Sequence, residues 1–107
     1  MIVNDQQTVH DVLAALMELG ITTATVIESQ GMGKIVSEQM PIFAGFRNLW
    51  GGSSSYNSTI FTVLDEDILQ ETIDLIREVM FEESENPRGV MFTLPVVHFI
   101  TPAGSNK

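Results

Sequence analysis

A chain of 107 residues with 14 acidic and 5 basic side chains carries a formal charge of −9 and no cysteine. That charge repels phosphate backbones, so nucleic-acid binding, which rests on Lys and Arg, is not expected. The missing cysteine removes disulfides and thiolate metal centres, and no run approaches the roughly eighteen apolar residues of a membrane span, so direct membrane insertion is not expected either.

The N-terminus has Asp5 and no basic segment ahead of it, so it does not read as a signal peptide, and the cytoplasm is the expected compartment. A hydrophobic content of 44% is high for so small a domain. Surplus apolar surface of this kind goes into subunit contacts.

In chain order, Met1 to Asn4 reads as a first strand. A helix follows from Thr8, with Asp11 three residues on as a capping-box partner. Val9, Val12, Leu13, Leu16 and Met17 recur at helical spacing, and Gly20 supplies the left-handed stop. Ile21 to Ser29 is rich in β-branched residues and reads as a strand, apolar enough on both faces to be central. Ser58 to Leu64 forms a third strand. Asp65 or Asp67 then caps a helix running to about Phe81, with Ile68, Leu69, Ile73, Leu75, Ile76, Val79 and Met80 facing inward and Asp67, Glu71 and Asp74 outward. Glu82 to Pro87 is a polar turn and Val90 to Leu94 a final core strand. Val96 to Ile100 reads as a short edge strand beyond Pro95, and Gly104 to Lys107 as a frayed tail.

Strand–helix–strand written twice predicts an α+β, ferredoxin-like βαββαβ (split βαβ) sandwich with an antiparallel sheet. It forms a single domain over 1–107, with a long loop, 31–57, between strands two and three. Gly31 and Gly33 predict a permissive turn out of the second strand. Pro41 begins a short amphipathic helix to Trp50, and Gly51 to Ser58 reads as a flexible hinge. A scaffold that holds out such a loop is built for recognition. Ile42, Phe43, Phe46, Arg47 and Trp50 are the candidate partner-docking residues.

Catalytic chemistry is poorly represented. His10 lies on the polar face of the first helix and His98 near the end of the edge strand, and neither sits in a nucleophile elbow. Glu82, Glu83 and Glu85 read as a solvated turn, since their spacing matches no calcium loop. No metal ligand set is assigned, and no catalytic residue.

With these elements placed, Gly31-Met32-Gly33-Lys34 after the second strand resembles the Gly-Phe-Gly-Arg step of the nitrogen regulatory P-II signalling proteins. Gly89-Val90-Met91-Phe92-Thr93-Leu94-Pro95-Val96 is similar to the family's Gly-Lys-Ile-Phe-Val-Leu-Pro-Val run. The order, helix register and loop position agree over nearly the whole chain. The resemblance implies a homotrimer that binds effectors in clefts between subunits and docks on target proteins through its loop, with no enzymatic activity. The regulated partner would be an enzyme or a membrane transporter. Gly31, Gly33, Lys34, Arg88 and Gly89 become the candidate effector-binding residues, for an adenine nucleotide or another small anion. The chain departs from the family at the phosphate loop, where Arg88 replaces an aspartate and Val90 a lysine, and after the last strand, where Thr101 and Ala103 replace arginines. A trimeric protein similar to CutA, with a structural or divalent-metal-tolerance role, is the alternative.

Overall fold

Helix α1, Gln6–Glu18, is specified at both ends by local chemistry. The computed structural model, which describes residues 1–39, 56–85 and 87–105, places its cap at Asp5 rather than Thr8. The Asp5 carboxylate accepts from the Thr8 backbone N–H at 2.8 Å and from the Thr8 hydroxyl at 2.7 Å. Thr8 is thus the donor of the capping pair, because an acid one turn earlier satisfies the first free N–H groups. At the other end Gly20 has φ +80, donates to the Met17 carbonyl at 3.0 Å, and lets Ile21 donate to the Leu16 carbonyl at 2.9 Å. Those two bonds make a Schellman motif, closed by the buried side chains of Leu16 and Ile21. The Gly20 stop is as expected. The buried stripe is Val9, Val12, Ala15 and Leu16, whereas Met17 is exposed. The apolar arc is centred on one side of the helix, and Met17 falls beyond its edge.

Three strands form the main sheet: β1 (Ile2–Val3), β2 (Thr25–Glu28) and β3 (Ser58–Phe61), in the order β1-β3-β2. Both pairings are antiparallel, with Ile2 opposite Thr59 and Ile27 opposite Thr59 on its other side. A further antiparallel bridge joins Ile2 to Val90, through bonds of 2.8 and 3.1 Å. The spatial order is therefore Val90, β1, β3, β2, which is the ferredoxin-like arrangement. This corrects the expectation for the second strand. It is an edge, its four residues are all exposed, and β3 is central. The reason is topological: after a strand–helix–strand crossover the third strand inserts between the two parallel ones.

The second helical segment starts with a single 3₁₀ turn, Glu66–Ile68, behind Asp65. It continues as α3, Leu69–Arg77, and ends in a π turn, Glu78–Glu82. Thr72 donates its hydroxyl to the Ile68 carbonyl at 2.7 Å, which lets this polar side chain be buried. Helix α1 packs on α3, on the π turn and on β1. The helices thus cover one face of the sheet, the face that carries Val3, Ser58 and Ile60. The core is Val3, Val9, Val12, Ala15, Leu16, Ile21, Ile60, Ile76 and Met80.

Three further expectations change. Past the Val90 bridge, residues 91–96 form no ladder, so the strand expected over Val90 to Leu94 is reduced to one residue. Phe92 and Leu94 are 62% and 74% exposed, because past the bridge the described residues form no ladder there. The edge strand expected over Val96 to Ile100 appears instead as β4, Ile100–Thr101, paired with β5, Gly104–Ser105. The start of the expected tail is therefore a strand. Finally, Gly31 and Gly33 make no left-handed turn. Neither has a positive φ, and the chain enters helix α2, Met32–Gln39.

Candidate functional site

The effector residues expected from sequence fall into two groups, and the sheet separates them. The first follows β2. Gly31 offers its carbonyl to the Ile35 N–H at 3.3 Å and so stands at the cap position of α2. Gly33 is buried in the first turn and Lys34 is half-buried beside it. A glycine cap brings no side-chain oxygen of its own to the first-turn N–H groups, and such a helix start suits an anion.

The second group enters the sheet at the opposite edge. Gly89 has φ +92, and a Cβ there would stand 2.3 Å from the Ile2 carbonyl oxygen. Only glycine allows the two backbones to meet closely enough for the Ile2–Val90 bridge. Arg88, next to it, is exposed. Its charge acts on Asp5, whose carboxyl lies below the usual range chiefly because the Thr8 N–H donates to it. Burial opposes this, while the Thr8 hydroxyl and the Arg88 guanidinium reinforce it.

Between Val90 and β2 lie β1 and β3. Three strand spacings put the two groups' strand positions about 14 Å apart. Within a single chain the two groups therefore flank the sheet from opposite edges. The five docking candidates, Ile42, Phe43, Phe46, Arg47 and Trp50, lie outside the described residues.

Sequence reasoning missed a polar cluster at the root of the loop. Ser29 and Asn57 face each other one pair beyond the end of β2, with the Ser29 N–H donating to the Asn57 carbonyl at 2.9 Å. The Ser29 hydroxyl also donates to Asn57 Oδ1 and lies 2.9 Å from the Thr59 hydroxyl. Ser58, buried on the other face, donates to the Tyr56 hydroxyl at 3.1 Å. The signal was the run of short polar side chains opening an otherwise apolar strand. Their partner Ser29 is visible only once the register is known.

His10 and His98 are both exposed, and His98 precedes β4 rather than ending a strand. Among the described residues no group of three or more His, Asp or Glu side chains could hold a metal ion. No helix among them is long and apolar enough to cross a membrane.

The fold defines a class: a ferredoxin-like domain with a long segment between its second and third strands and glycine-containing segments, Gly31 to Lys34 and Arg88 to Gly89, at opposite edges of its sheet. The model of the nitrogen regulatory protein P-II family matches residues 1–101, and the chain belongs to that family, one of nitrogen regulatory signalling proteins. No curated protein matches the chain.

Proposed function

We propose that this protein is a cytoplasmic, non-enzymatic regulator that assembles as a homotrimer. It senses a small anionic effector or nucleotide between subunits and docks on a partner protein, a regulated enzyme or transporter, through its loop, residues 31–57. The observation that carries this reading is the separation of Gly31, Gly33 and Lys34 from Arg88 and Gly89 across the sheet. Groups on opposite edges of one chain come together when the β2 edge of one copy lies beside the Val90 edge of another.

A second support comes from the uncovered face of the sheet. Ile27 and Phe61 on that face are exposed, and Phe92, Leu94, Val96, Val97 and Ile100 continue the apolar surface along the chain. Surface of this extent is suited to identical copies. Lys34 and Arg88 would neutralise the anion, and the glycine segments would let backbone amides approach it. Family membership favours this reading over a CutA-like role.

Sedimentation measures the mass, and calorimetry with ATP, ADP, AMP, cyclic dinucleotides and bicarbonate tests the sensing. A trimer that titrates with at least one of these is expected. A well-folded monomer, or silence from every ligand at millimolar concentration, overturns effector sensing between subunits.

A further inference from the structure

We propose that Ser29, Asn57 and Thr59 form a latch that fixes where α2 leaves the sheet, which makes Asn57 a positioning residue for Gly31 and Lys34. Over its described residues, Met32–Gln39, helix α2 has no acid in its first turn to complement its dipole. Its glycine cap brings no side-chain oxygen, so the start of the helix is set by what precedes it. Only Gln30 and Gly31 separate Ser29 from Met32, a span of at most about 11 Å, so where Ser29 is held limits where α2 begins.

The chemistry at Ser29 is directional. A serine hydroxyl has one hydrogen, and that hydrogen goes to Asn57 Oδ1. The 2.9 Å contact with Thr59 is therefore donated by Thr59, giving a chain from Thr59 through Ser29 to Asn57 in which each bond polarises the next. Ser29 and Asn57 are cross-strand partners one pair past Glu28 and Ser58, and Thr59 is the diagonal neighbour on the same face. With Oδ1 turned to Ser29, the Asn57 amide nitrogen comes to 3.4 Å from the place a Cβ on Gly31 would occupy. One side chain thus grips the end of β2 and borders the cap residue of α2.

The consequence for ligand binding rests on the proposed function, whereas the latch itself does not. Hydrogen exchange followed residue by residue separates the two. In Asn57→Ala, the amides of Val36 to Gln39 are expected to exchange at least tenfold faster than in the wild type, while those of Val12 to Leu16 stay within twofold. Asn57→Asp keeps an acceptor for Ser29 and should restore most of the protection. Thr59→Val, which removes only the first donor, should give a smaller change of the same sign and serves if Asn57→Ala fails to fold. Unchanged exchange in α2, or an equal rise in α1 and α2, overturns the latch. Calorimetry with ATP on the same proteins should show at least a fivefold weaker affinity for Asn57→Ala at unchanged sedimentation mass. If the wild type does not bind ATP while the exchange pattern holds, the latch stands and nucleotide sensing falls.

Discussion

Helix α1 and the run from Val90 to Ile100 are both apolar, yet they end in opposite states. The helix has a carboxylate cap, a glycine stop and a buried stripe, all supplied by residues within or beside it. The run is bridged to Ile2 at Val90, Met91 packs against the core and Ile100 pairs with Ser105, yet Phe92, Leu94, Val96, Val97 and Ile100 stay exposed. Hydrophobicity alone did not decide the difference. The helix faces α3 and the sheet, whereas the run lies along the edge of the sheet beside β1. Apolar content states that a surface will be covered; topology states whether the same chain can cover it.

Five changes would break or sharpen that contrast. The largest effect is expected at Leu16, which is 1% exposed and also closes the helix stop. Leu16→Ala should cost about 3 kcal/mol in urea unfolding at fixed protein concentration, from lost transfer energy plus a cavity. A cost below about 1 kcal/mol would mean the α1 stripe is not the core.

Gly89→Ala strikes the backbone bridge that joins the C-terminal run to β1. A left-handed φ costs an alanine about 1–2 kcal/mol, and the Ile2 carbonyl stands only 2.3 Å from the new methyl carbon. We expect a loss of about 2 kcal/mol or more, with the Ile2 and Val90 amides losing exchange protection while α1 keeps its own. At Gly20, which is also left-handed, a Cβ meets nothing within 4 Å, so Gly20→Ala should cost only the conformational part.

Asp5→Ala removes a cap and should cost about 1 kcal/mol at neutral pH. The Asp5 carboxyl is lowered in the folded state, so its contribution is present above the ordinary value of 3.8. It is lost as pH falls through the lowered folded value. The gap between variant and wild type should therefore shrink in acid. A gap that is constant down to pH 2 would show that the carboxylate is not the cap.

The smallest change in helix content is expected for Leu94→Asp. The side chain is 74% exposed in the single chain, so far-UV circular dichroism should be preserved. Under the proposed assembly the sedimentation mass should fall, because the new charge would be left unpaired between subunits. Loss of helix at unchanged mass would reverse the contrast.

Much of the helical layer was legible in the residues. The spacing of Ile68, Ile76, Val79 and Met80 marked the inner face of the second helical segment, and Gly20 marked where α1 stops. These signals are local: a cap, a stop and a period of 3.6 residues act within one or two turns. The cap at Asp5 was misplaced by three residues because Asp5 and Thr8 both suit the position, and only the bonds between them tell which accepts. The glycines at Gly31 and Gly33 read as a turn, since sequence does not distinguish a glycine that bends the chain from one that caps or packs a helix.

What the order of residues determined by itself was the two helical segments packed on the sheet and the chemistry available at their ends, because these depend on neighbours a few positions away. Only the tertiary structure decided that β3 lies between β1 and β2, that Ser29 meets Asn57, and that Lys34 and Arg88 stand on opposite edges. Each of those facts is a pairing between distant segments. Strand register, which a shift of one residue would invert, is chosen by the fit of a whole face against its cover.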